Sequence, residues 1–180
     1  MMKVMRKFFG ATLGVCVVLS AAAAVAQSAR VAGMGETMKP ANRGVVCLMT
    51  SAAENANGAA ETNAVRRSKG LSQLRPDKRL AEAAARHACD MAQRDQMTHK
   101  GSRSKGPSQR VRAAGYKMQI VAENIGKGFS EPEQVMSAWV ASSGHLQNIL
   151  LPQVRDFGIG KAVAADGRTV YWAAVYAAGK

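Results

Sequence analysis

Histidine occurs three times in this chain, as His87, His99 and His145, and one carboxylate, Glu123, stands inside the run Ile120-Val121-Ala122-Glu123-Asn124-Ile125. A strand over 119–125 alternates its side chains, so Glu123 shares a face with Val121 and Ile125. A carboxylate on an apolar face must be paired, be hydrogen-bonded, or take up a proton more readily. Two readings follow. Glu123 is a structural group bonded to backbone amides or to Asn124, or it is a site carboxylate facing an imidazole. His99 and His145 each follow a helical pattern and have polar neighbours, which suits loops lining a cleft. His87 lies on an apolar helix stripe and reads as a core imidazole bonded to a carbonyl or to the next layer.

Together, His99, His145 and Glu123 supply three ligands for a tetrahedral metal such as zinc with one open position. They equally supply an acid–base pair. Ser142-Ser143-Gly144-His145 sets hydroxyls beside an imidazole, although adjacency in sequence is a poor nucleophile–base arrangement. The sequence contains no HExxH, no CxxC, no Gly-x-Ser-x-Gly elbow and no phosphate-cradling glycine loop.

The elements that must position these groups are legible in part. Asp77 is a candidate N-cap for a helix running to about Gln96. On it Leu80, Ala84, His87 and Met91 form one face and Ala81, Ala85, Ala88 and Ala92 a second, so it should pack on two sides. Val45 to Met49 and Ser51 to Ala60 predict helical turns interrupted near Gly58, followed by a short helix from Glu61 to Lys69. Thr98 to Gln109 predicts a loop, and Arg110 to Ala114 a short helix closed by Gly115. Ser130 and Glu133 match a capping box for a helix carrying Val135, Met136, Trp139 and Val140, with Gly144 just past its end. Leu146 to Leu151 is a short helical or extended piece. Phe157 to Val163 and Thr169 to Ala177 flank Asp166-Gly167 as a hairpin, with the second run an inner strand. These elements predict an α+β or three-layer α/β/α domain.

Residues 1–26 read as a secretory signal peptide: Lys3, Arg6 and Lys7, an apolar run from Phe8 to Leu19, and Ala24-Val25-Ala26 for cleavage. Residues 27–44 read as a mobile arm and residues 45–180 as the domain, with no transmembrane segment after cleavage. The formal net charge is +13, which suits anionic envelopes, acidic polymers or phospholipid headgroups. Aromatic residues make up 5% of the chain and do not interleave with basic ones, which argues against a nucleic-acid stacking platform. Export would carry Cys47 and Cys89 into an oxidising compartment, where one disulfide between them is the default.

Several stretches, in order, resemble the bacterial branch of the CAP superfamily, which groups cysteine-rich secretory proteins, antigen 5 and plant pathogenesis-related proteins around the SCP-like extracellular domain. They include Leu74-Arg75-Pro76-Asp77, Ala84-Ala85-Arg86-His87-Ala88-Cys89, Thr98-His99 and Gln109-Arg110-Val111. They continue through Gly115-Tyr116, Ala122-Glu123-Asn124-Ile125, Trp139-Val140-Ala141-Ser142-Ser143-Gly144-His145, Phe157-Gly158-Ile159-Gly160 and Tyr171-Trp172. The resemblance implies an α/β/α sandwich around a central antiparallel sheet. It also implies a cleft of two histidines and two acidic residues that in some members holds a divalent metal. His99, Glu123 and His145 match three of those positions; the fourth is Ser142, a hydroxyl where eukaryotic members have a second Glu. The expectation is a secreted binding protein of the envelope or extracellular space, its partner a lipid, an anionic envelope component or another protein. The alternative is a metal-assisted hydrolase or peptidase using His99, Glu123 and His145.

Overall fold

A computed structural model describes residues 44–180; the expected signal peptide and all but the last residue of the expected mobile arm lie outside them. In chain order the elements are β1 (Val46–Cys47), α1 (Ala52–Arg67), β2 (Arg75–Pro76), α2 (Lys78–Arg94), α3 (Pro107–Ala113) and β3 (Met118–Lys127). There follow α4 (Pro132–Ala141), α5 (Ser143–Ile149), β4 (Asp156–Val163) and β5 (Val170–Gly179). The strands form one sheet in the order β1-β4-β5-β3, with β2 alongside β4. All pairings are antiparallel except the short β2–β4 contact.

The sheet is the middle of three layers. Strand β5 is buried along nearly its whole length and alternates between two cores. Tyr171, Ala173, Val175 and Ala177 join Leu80, Ala84 and Met91 of α2 and Val111 of α3. Val170, Trp172, Ala174 and Tyr176 join Ala59 of α1, Val135 and Trp139 of α4 and Ile149 of α5. The run that reads as apolar on both faces is therefore the inner strand of an α/β/α sandwich, because each face meets its own helical layer.

Helix α2 lies unusually close to the sheet. A Cβ added at Gly158 would fall 2.1 Å from the Ala81 nitrogen, and one at Gly160 2.2 Å from the Ala85 nitrogen. The alanine face of α2 thus meets glycines of β4, backbone against backbone. Asp77 caps α2 as expected, accepting from the Arg79 and Leu80 amides, and Asp95 closes it in the left-handed region at φ 50°. The Cys47–Cys89 disulfide forms and ties β1 to α2.

Four local expectations are corrected. Helix α1 runs unbroken through Gly58; that glycine is there for close packing, since its Cβ would meet Ile159 Cγ2 at 3.0 Å and the Phe157 ring at 3.1 Å. Val46–Cys47 is a short strand on the edge of β4, not a helical turn. The N-cap of α4 is Glu131 rather than Ser130: Pro132 opens the helix, and Gln134 Oε1 accepts from both the Ser130 and Glu131 amides. Gly144 does not end α4, which stops at Ala141, but sits inside α5.

Candidate functional site

Among the described residues strand β3 is a sheet edge, paired only with β5, and its alternation sends Glu123 and Asn124 to opposite faces. Glu123 enters the α2–α3 layer and is 4% exposed as a residue. Its carboxylate is matched from three elements. Arg110 of α3 donates Nη2–H to Oε2 at 2.6 Å. His99, beyond the end of α2, places Nδ1 2.8 Å from Oε1. An ionised carboxylate only accepts, so the His99 proton sits on Nδ1 and the ring turns its Nε2 edge outward. His87 of α2 lies beneath, with Nε2 3.8 Å from Oε1.

Arg110 is itself held from several sides. Its Nη1 donates to the His99 carbonyl at 3.0 Å and to Ser104 Oγ at 2.8 Å, and its side chain is 11% exposed. The loop carrying Ser104 is pinned in turn, because Asp90 accepts from the Ser102 amide and Gly101 donates to the Ser104 carbonyl. Behind Arg110 a cavity of ≈ 520 Å³ opens between α2, this loop and α3, with His87, Cys89 and Asp90 on its wall.

Asn124 serves the other face. Its Nδ2 donates to the His145 carbonyl at 3.0 Å and its Oδ1 accepts from Asn148 Nδ2 at 2.8 Å. Asn148 also donates to the Glu123 carbonyl. Helix α5 is thereby fastened over the open edge of β3, which satisfies backbone groups an edge strand leaves bare. Below it, fully buried Arg66 of α1 donates to the carbonyls of Ile149 and Leu151, fixing the far end of α5.

His145 occupies the first part of α5 rather than a loop. Burial lowers the pKa of its imidazole, and the nearby His99 lowers it further. Ser142 caps the junction of α4 and α5, and its hydroxyl makes no hydrogen bond to His99, Glu123 or His145. His87 is core, as its stripe implies, but not satisfied. Neither ring nitrogen makes a well-formed hydrogen bond; Glu123 Oε1 lies 3.8 Å from Nε2, and the Thr98 backbone approaches the ring as a hydrogen-bonding group.

Sequence reading missed Arg110 as a site residue. The signal was available in principle: a carboxylate on an apolar face demands a cation, and an arginine on the short helix just before β3 was in reach. His87 was placed correctly in the core but not beside Glu123, because helix periodicity gives a face and not the residue opposite it.

The donor set does not fit a divalent ion as it stands. Both Glu123 oxygens accept hydrogen bonds and its charge is matched by Arg110. Among the described residues no group of three or more His, Cys, Asp or Glu has the geometry of a metal site. Glu123 instead orients His99 from behind.

A second groove of ≈ 380 Å³ lies on the other side of the sheet, where Met49, Gly58, Ile159 and Trp172 form apolar walls with Glu61 and Glu133 among the lining. Burial pushes the Glu61 carboxyl up, and Glu133 adds to the rise.

An antiparallel sheet between two helical layers, with histidines and a glutamate at its edge strand, defines a class of domain. The model of the cysteine-rich secretory protein family, CAP, matches residues 59–176, and the chain belongs to that family. It is 34% identical over 99 residues to the uncharacterized protein YkwD of Bacillus subtilis, a match covering 55% of this chain and 38% of that one. The chain thus spans well under half the length of that relative. Among solved structures, an outer surface protein of Borrelia burgdorferi superposes with a TM-score of 0.64 at 19% identity, over 73% of this chain and 97% of that one. An extracellular SCP-domain protein of Bacillus anthracis superposes with a TM-score of 0.60 at 22% identity, over 71% of this chain and 42% of that one. These structures share the fold. Among the described residues no helix is long and apolar enough to cross a membrane.

Proposed function

We propose that this chain is an exported binding protein of the cell envelope or extracellular space, which engages its ligand or protein partner through the cleft between His99 and His145. The observation that carries this reading is the state of Glu123. A carboxylate that is 4% exposed and has both oxygens engaged by Arg110 and His99 is poorly placed to act as a general base on a substrate. Ser142 has no base within hydrogen-bonding reach to make it a nucleophile. The outward edge of His99 and the ring of His145 offer positioned polar contacts, and the groove lined by Trp172 and Met49 offers apolar ones. Export is supported by the leader-like first 26 residues and the formed disulfide. The net charge supports an anionic envelope component as partner.

The test is sedimentation with isolated bacterial envelopes, with and without chelator, alongside a panel of peptide and ester substrates. Retention should survive chelator and fall roughly tenfold, about 1.4 kcal/mol, in His99→Ala and His145→Ala. Turnover that chelator abolishes and His99→Ala removes would replace this reading with the hydrolase one.

A further inference from the structure

We infer that Arg110 is the resident cation of this cleft and makes the site closed to divalent metal ions. The assignment holds whatever ligand the cleft takes. It rests on where the guanidinium sits and on what holds it there.

A metal bound by His99, Glu123 and His145 would need Glu123 to turn an oxygen lone pair toward the ion, with no fixed positive charge beside it. The structure offers neither. Oε2 of Glu123 is taken by Arg110 at 2.6 Å and Oε1 by His99 at 2.8 Å. The side chains of Glu123 and Arg110 are 1% and 11% exposed, so water screens the pair little. A dication near this pair would meet an arginine that keeps its charge at any working pH. Nor can Arg110 swing aside cheaply. Ser104 Oγ and the His99 carbonyl hold its other nitrogen, and a Cβ on Gly101 would lie 2.6 Å from that same Ser104 Oγ and 3.7 Å from Arg110 Nη1, so the loop closes tightly over it.

With its proton on Nδ1 toward Glu123, His99 turns Nε2 to the opening, an orientation that suits a ligating imidazole. It is therefore Arg110 on the same carboxylate, and not the ring, that bars the ion. That leaves His145 as the other imidazole near His99, while Ser142 is a hydroxyl at the position where the family resemblance puts a second Glu. Ligand recognition here is by imidazole and hydroxyl hydrogen bonds around an internally neutralised carboxylate, and removing Arg110 should expose a latent metal site.

Zinc titration by calorimetry tests this on the exported chain without its first 26 residues, with folding monitored by circular dichroism. Wild type should show no zinc binding up to about millimolar concentration. Arg110→Met should bind one zinc with an affinity at least about tenfold above that ceiling, and the gain should vanish in Arg110→Met/His99→Ala. Arg110→Gln, which keeps one amide donor toward Ser104 and Glu123, serves if Arg110→Met does not fold. Arg110→Lys keeps the charge and should stay blind to zinc. One-to-one zinc binding by wild type that is lost in His99→Ala would overturn the assignment. Folded charge-free variants that remain blind to zinc would overturn it equally, since Arg110 would not then be what excludes the ion.

Discussion

His87 is held in a costly environment. Its ring is buried, neither nitrogen makes a well-formed hydrogen bond, and Nε2 lies 3.8 Å from the carboxylate of Glu123. Burial is the main influence on it and lowers its pKa, opposed by Glu123, Asp90 and the Thr98 backbone and reinforced by Arg110. An imidazole held neutral in the fold takes up protons more readily when unfolded. Stability is therefore full above the unfolded value of about 6.5 and declines as pH falls below it toward the lower folded value. His145, also lowered, adds to the same decline. Urea unfolding at pH 7.5 and pH 5 should show wild type losing stability at the acid end and His87→Leu losing less. Equal losses in both would remove His87 as a source of the acid sensitivity. Periodicity placed this residue in the core, and nothing local could show that its neighbour would be a carboxylate 36 positions later, which only the pairing of layers decides.

Among the elements, α2 matters most, because it carries His87 and leads to His99. Its position is set by two glycines of β4 that let backbone meet backbone. Gly160→Ala should force α2 outward and destabilise the domain by about 1–3 kcal/mol, the usual range for overpacking a filled core, read as a lower urea midpoint. An unchanged midpoint would mean that α2 relaxes freely and does not fix the site. The same physics explains what sequence got right and wrong here. The twin faces of α2, its Asp77 cap, the β4–β5 hairpin and the burial of β5 follow from periodicity and turn chemistry within a few residues. Gly58 was misread as a break because helix propensity penalises glycine, whereas the reason for it is the approach of Phe157 and Ile159 from another part of the chain. The cap of α4 moved by one residue because Gln134, not Glu133, reaches back to the open amides. His145 came out on a helix because α5 starts immediately after α4, with Ser142 as the only break.

At the scale of the whole molecule, two long-range bonds hold the layers in register around the cleft. The Cys47–Cys89 disulfide closes a loop of sequence separation 42, and on the chain-entropy model it contributes roughly 4 kcal/mol, less any strain. Intact-mass measurement after alkylation without reductant should show no label on the folded protein, and reduction should lower the thermal midpoint. Two labels on the folded protein would remove the bond from its stability. The other bond is the buried pair of Glu123 and Arg110, which joins β3 to α3 and neutralises the charge that the sheet edge brings inside. A double-mutant cycle on unfolding free energy with Arg110→Met and Glu123→Gln measures it. Each single change strands a buried group and should cost about 3–5 kcal/mol. The double variant should recover much of that loss, giving an interaction energy of about 2 kcal/mol or more. Losses that add within about 0.5 kcal/mol would show that Glu123 and Arg110 do not pair in the folded protein, and a cleft built on that pair would be wrong.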